Sequence, residues 1–192
     1  EDRPLPEYVR EEFETYLRCG VLEHGFLRVV CEHCRAERLV AYSCKKRGFC
    51  PSCGARRMAE SARHLVDEVF GPRPVRQWVL SFPYPLRFLF ASKPEAIGPV
   101  LGIVHRVIAG WLADQAGVPR DTAQCGAVTL IQRFGSALNL NIHFHMLWLD
   151  GVYEDTTERP QRKPRLHRTR APTSAQLTEL ANTIAHRVCR HL

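Results

Sequence analysis

Eight cysteines and nine histidines are spread unevenly through 192 residues, and two groups of them have the spacing of metal ligands. Cys31 and Cys34 in CEHC, with Cys50 and Cys53 in CPSC, make the pattern C-x2-C-x15-C-x2-C. Each CxxC turn brings two thiolates within reach of one ion. The fifteen intervening residues can form a short hairpin, so four sulfurs can close a tetrahedron around a structural zinc. A segment this short and polar needs the ion to fold. Cys44, six residues before Cys50, can replace one ligand. Cys19 and His24, or His33 inside the first knuckle, can serve a different or second site. The paired cysteines are the preferred set, and their bunching beside basic residues suits a reduced cytosolic metal site better than a disulfide framework.

The second group lies in Leu138 to Gly151, LNLNIHFHMLWLDG. Side chains alternate between the two faces of a strand, so Leu138, Leu140, Ile142, Phe144, Met146 and Trp148 share one face. Asn139, Asn141, His143 and His145 share the other, making the two histidines side-by-side neighbours. Two imidazoles in that relation can point nitrogens at one divalent ion, with the asparagines orienting them or a bound water. Taken alone, such a pair is more often satisfied by hydrogen bonds than by a metal.

These residues need elements to position them. Pro6 starts a helix whose face holds Val9, Phe13, Tyr16 and Leu17, and Gly20 ends it at about Cys19. Ala55 to Phe70 reads as a helix leading out of the cysteine module, stopped by Gly71-Pro72. Val75 to Phe82 reads as a strand, and Leu86 to Ala91 as a short helical turn. Pro99 to Ala116 is an amphipathic helix capped by Gly117. Cys125 to Phe134 is a strand that Gly135-Ser136 turns into the histidine strand as an antiparallel hairpin. Asp150-Gly151 is a further turn, and Glu154 to Pro172 is a polar, basic loop or ribbon. Thr173 to Gln176 caps a last helix with Leu177, Leu180, Ile184 and Val188 on one face. The order β-α-β-β-loop-α fits an α+β domain, an antiparallel sheet covered on its apolar face by helices.

Net charge is +7, in blocks: residues 1–27 sum to −4, 28–57 to +6 and 159–192 to +7. Lys45, Lys46, Arg47, Arg56 and Arg57 crowd around the second CxxC and form a basic surface where the phosphates of a polyanion can dock. Two solvated basic surfaces account for the same charges without a polyanion. No apolar run reaches the length of a membrane span, because Val100 to Ala113 is broken by His105 and Arg106, so no membrane partner is expected. With neither a starting methionine nor a stop to the last helix, the chain is expected to be a piece of a longer protein.

YSCKKRGFCPSCGARRMAE (42–60), VRQWVLSFPYPLRFL and QRFGSALNLNIHFHMLWLDGVY together resemble the rolling-circle transposases of the HUH class, in the insertion-sequence-ninety-one family. The resemblance implies a zinc-binding domain over residues 1–70 and a truncated HUH-type (ferredoxin-like) nuclease domain over 71–192. It implies that His143 and His145 bind magnesium or manganese, which positions and polarises a scissile phosphate of single-stranded DNA at a transposon end. Gln132 and Asn141 are the candidates for a third ligand. It further implies a tyrosine nucleophile that keeps the 5′-phosphate covalently, so strand joining needs no nucleotide cofactor. The tyrosines present are Tyr8, Tyr16, Tyr42, Tyr84 and Tyr153, none on a helix after the histidine strand, so the nucleophile is expected beyond Leu192. The expected location is the bacterial cytoplasm, at the nucleoid when bound to DNA. The rival reading is a non-catalytic zinc-dependent nucleic-acid-binding protein with structural histidines; a small-molecule hydrolase fits the basic blocks poorly.

Overall fold

The computed structural model describes residues 4–46, 50–137, 139–155 and 164–192; Leu138 and Arg47 lie outside them, as does the middle of the segment expected as a basic loop. The chain divides into two compact units, Glu1–Pro72 and Arg73–Leu192.

The first unit opens with α1 (Glu7–Leu17), which starts immediately after Pro6. Strands β1 (Phe26–Val30) and β2 (Glu37–Ala41) pair antiparallel, Phe26 opposite Ala41 and Val30 opposite Glu37. Helix α2 (Pro51–His64) follows and continues through a π-helical stretch, Leu65–Phe70. The sequence reading started this helix at Ala55; it starts four residues earlier. Cys50 is its N-cap and Pro51 its first residue, where a missing N–H costs nothing. The second CxxC therefore sits in the first turn of a helix.

The second unit is built on β6 (Leu140–Leu149), the central strand of a sheet ordered β3-β6-β5. Here β3 is Val75–Ser81 and β5 is Ala127–Phe134, both antiparallel to β6. Period-two alternation divides β6 cleanly: Ile142, Phe144, Met146 and Trp148 are each at most 2% exposed. Helices α3 (Tyr84–Ser92) and α4 (Ile97–Ala116) contribute the hydrocarbon that meets them. Phe82, which follows β3, stands edge to face against Phe90 of α3 and Phe144, both at 5.0 Å; Trp111 of α4 meets Trp78 at 5.7 Å. Val100, Val104, Ile108 and Leu112 form the buried stripe of α4, which ends on Gly117 in the left-handed conformation (φ +67°). Contrary to the sequence reading, one helix among the described residues, Pro94–Ala116, is long and apolar enough to cross a bilayer by length and composition; 44% of its most apolar stretch is buried inside the protein.

A second sheet of three short strands was not anticipated. β4 (Ala123–Gln124), β7 (Gly151–Glu154) and β8 (Leu166–Arg168) form it in the order β4-β7-β8. Part of the expected loop from Glu154 to Pro172 is thus paired backbone. At the entry to β7 a Cβ on Gly151 would lie 2.3 Å from the His167 carbonyl oxygen, so only glycine allows the strands to approach. Beside it the half-buried Arg76 and Asp150 form an ion pair at 2.6 Å. Helix α5 (Ser174–His191) begins with a capping box: the Thr173 side chain accepts from the Gln176 N–H and the Gln176 side chain accepts from the Thr173 N–H. Its Leu180, Ile184 and Val188 enter the core.

Candidate metal centres

Four sulfurs meet in the first unit, and they are not the expected four. Cys19 lies just past the end of α1, Cys44 just past β2, and Cys50 and Cys53 at the start of α2; their Sγ atoms all lie within 4.8 Å of one another. Cys19 to Cys53 is 3.7 Å, Cys44 to Cys53 is 3.7 Å and Cys50 to Cys19 is 3.6 Å. Four thiolates bound tetrahedrally at a Zn–S distance of about 2.3 Å stand about 3.8 Å apart, so the constellation fits zinc as it is.

Cys31 and Cys34, which the spacing paired with Cys50 and Cys53, are exposed and outside the cluster; this corrects the expected ligand set. The reason is the hairpin. The Gly20 N–H donates to the Tyr42 carbonyl at 3.0 Å, tying the residues beside Cys19 and Cys44 together at its open end. Cys31 and Cys34 turn the chain at the closed end, the length of a five-residue strand away, roughly 16 Å. One ion cannot reach both ends. Cys44 was weighed as a substitute and Cys19 as part of another site; the signal in sequence was that both sit just outside the two strand segments, where a hairpin brings them together.

The thiols respond to this crowding. Burial, with smaller contributions from the neighbouring thiols, pushes Cys44 up to about 12, whereas the Cys53 N–H donating to the Cys50 sulfur brings Cys50 down to about 7. The Cys44 N–H donates to the Cys19 sulfur at 3.4 Å and favours its thiolate, but burial and the thiols of Cys50 and Cys53 outweigh it and raise the Cys19 pKa. A divalent cation removes this conflict by stabilising all four as thiolates.

Next to the cluster, Ser43, Lys45, Cys53, Arg56, Arg57 and Glu60 line a cavity of about 200 Å³. It gathers three of the five cations expected to contact DNA. Lys46 is not among them: its Nζ lies 3.7 Å from Glu12.

In the second unit, His143 and His145 occupy the sheet face opposite the helices. The β3 and β5 registers place Ser81 and Gln132 beside His143, and Val79 and Leu130 beside His145. The rings lie 4.9 Å apart, centroid to centroid, at 63°. His143 is 9% exposed, while His145 is half-buried. His143 Nδ1 donates to the Asn141 carbonyl at 2.5 Å, which fixes the tautomer and leaves Nε2 with a free lone pair. This is the arrangement of a metal-ligating histidine. Gln77 of β3, which the sequence reading passed over, lies with Nε2 2.8 Å from His145 Nδ1. Turning that amide over makes its oxygen accept from Nδ1–H and frees the other ring nitrogen in the same way. Asn141 Oδ1 is buried and, among the described residues, has no hydrogen-bond partner. An unsatisfied buried oxygen beside two imidazoles is a ready third ligand or a seat for a metal-bound water. Gln132, the other candidate, is exposed. Nitrogen donors with a carboxamide oxygen suit divalent ions of intermediate hardness, manganese better than magnesium.

Residues 1–82 match a family model described as a transposase zinc-binding domain, of the IS91 type. Residues 126–192, which hold the histidine strand, match a second model, described as "Putative transposase". No curated protein and no solved structure matches the chain.

Proposed function

We propose, from the premise that the chain belongs to the IS91-type transposases, that it binds single-stranded DNA at transposon ends. In the full-length protein, strand cleavage and rejoining then proceed by metal-assisted tyrosine phosphodiester transfer. Residues 1–70 serve as a zinc-stabilised DNA-docking domain, and residues 71–192 belong to an HUH-type, ferredoxin-like nuclease domain working at the nucleoid. The observation that carries the reading is the pair of adjacent imidazoles, with His143 Nε2 available and, two residues before it on the same strand face, a buried Asn141 oxygen that has no partner among the described residues.

In this reading His143, His145 and Asn141 hold a magnesium or manganese ion, which supplies positive charge to the phosphate oxygens of the scissile bond. Each residue has a distinct part. His143 is locked by the Asn141 carbonyl, so its ring does not need to reorient when an ion arrives. Gln77 holds His145 from the neighbouring strand. Val79 and Leu130, both exposed, flank His145 with hydrocarbon, against which unstacked bases or sugars can rest. Lys45, Arg56 and Arg57 offer cations to backbone phosphates beside the zinc cluster.

Tyr153 stands on β7 of the small sheet, not on a helix after the histidine strand, and its hydroxyl accepts from Arg73 Nε at 2.8 Å. Residues 1–192 are therefore expected to retain single-stranded transposon-end oligonucleotides without forming a covalent adduct. An adduct on a denaturing gel would show that one of these five tyrosines attacks. The metal site is tested separately by titrating Mn²⁺ and following its electron paramagnetic resonance: His143→Ala with His145→Ala should weaken binding at least tenfold. Unchanged Mn²⁺ affinity in that double variant removes the histidines from the mechanism.

A further inference from the structure

The closed end of the β1–β2 hairpin carries a pair of cysteines that the four-sulfur cluster does not use. Cys31 and Cys34 are both exposed on a tight turn. The Cys31 N–H donates to the Ala36 carbonyl and the Arg35 N–H to the Cys31 carbonyl, each at 2.9 Å, with Arg35 in the left-handed conformation (φ 59°). The N–H groups of His33 and Cys34 are directed at the Cys31 sulfur. Folded this way, a CxxC turn presents two sulfurs on one side and directs its own amides at the first of them, which makes it one half of a tetrathiolate site. Among the described residues, no third histidine, cysteine or carboxylate joins the pair. Among the described residues the half-site is incomplete.

We propose that Cys31 and Cys34 from two copies of this chain together hold one zinc ion, joining the copies through their hairpin tips. A two-fold arrangement supplies four sulfurs from two identical turns, the self-complementary contact that closed dimers use. As the ion binds, four thiols lose four protons to solvent and become thiolates, with no change in oxidation state. The strands behind the tip need such a partner. Leu27 and Val29 are 56% and 51% exposed, and Val40, opposite Leu27, is also exposed, so this face of the hairpin shows three uncovered apolar side chains beside Arg38, which stands opposite Val29. Two strands alone are marginally stable in water, and an ion that clamps the tip against a second copy restrains them. This zinc is separate from the Cys19, Cys44, Cys50 and Cys53 cluster and does not depend on the nuclease reading.

The experiment measures zinc content by elemental analysis and mass by light scattering on the full 192-residue chain loaded with zinc, carrying His143→Ala and His145→Ala throughout so that the histidine pair takes up no zinc. With the tip cysteines intact it should carry about 1.5 zinc ions per chain at twice the chain mass. Cys31→Ser with Cys34→Ser should carry about one zinc per chain at the single-chain mass, with an unchanged circular dichroism spectrum. Two zinc ions per chain at the single-chain mass would mean that the tip completes its own site, and the proposal fails. It fails equally if the chain with intact tip cysteines is a one-zinc monomer, or if replacing those cysteines leaves its ratio and mass unchanged. Should the variant not fold, alkylation of the zinc-loaded chain with intact tip cysteines decides. Cys31 and Cys34 should resist iodoacetamide in concentrated protein and react once the pair is diluted apart; reactivity independent of concentration overturns the idea.

Discussion

At the scale of single residues, Cys19 and Cys31, one inside the four-sulfur cluster and one outside it, have opposite expected phenotypes. Cys19→Ser removes a corner of the tetrahedron around which α1, β2 and α2 converge, so the first unit should lose its cluster zinc and its folded circular dichroism signal. Cys31→Ser should leave that zinc in place, because the residue sits at the far end of the hairpin. Measuring zinc release with a chromophoric chelator separates the two; equal loss would return Cys31 to the cluster. Arg56 and Arg57 differ from the cysteines in that their contribution is electrostatic. Replacing both with alanine should flatten the dependence of log K on log salt for single-stranded DNA by about 0.7 for each phosphate no longer neutralised. An unchanged slope would mean these guanidiniums remain solvated in the complex. The spacing C-x2-C-x15-C-x2-C identified a zinc module but misassigned its members. Which thiols meet depends on where strands start and stop, and that is set by backbone pairing between Gly20 and Tyr42, not by residue type.

Among the elements, those with long and regular patterns were legible. The buried stripe of α4 and the alternation of β6 each give an unbroken periodic signal, and Thr173 with Gln176 is a local capping rule satisfied by side chains three apart. The small sheet was not legible, since its strands are two to four residues long and too short to show alternation. What holds it is a close backbone approach. Gly151→Ala would push a methyl group into the His167 carbonyl, part β7 from β8, and cost about 1–3 kcal/mol of stability in urea unfolding. A loss under a few tenths of a kcal/mol would show that β8 can shift at no cost. The start of α2 was misplaced for a different reason. CPSC reads equally as a free knuckle or as an N-cap followed by proline at the first helical position, and the helix reading prevails.

For the whole molecule, two compact units with different sources of stability imply two unfolding events. The first unit buries few large side chains and relies on its ion, whereas the second has a continuous core from Phe82 to Val188. Stripping zinc should therefore abolish one thermal transition and leave the other, as calorimetry would show. A single cooperative transition lost as a whole would mean that the units do not fold independently. The midpoint of stripping should depend on pH in a definite sense. Cys44, pushed up to about 12 in the metal-free cluster, and the raised Cys19 must each give up a proton for the ion to bind. Protons thus compete more strongly as pH falls, and less chelator should suffice at about pH 6 than at about pH 8. The reverse trend would contradict thiolate ligation.

The alternation along β6 also makes its alignment self-correcting. Because Phe144 is sealed between two imidazoles that face the other way, sliding the strand by one position against β3 and β5 would drive both rings into hydrocarbon and turn four large apolar groups out to water. A misaligned chain is therefore discarded for its poor core before its chemistry is ever tried, and any molecule that folds at all arrives with its imidazoles on the sheet face away from the helices.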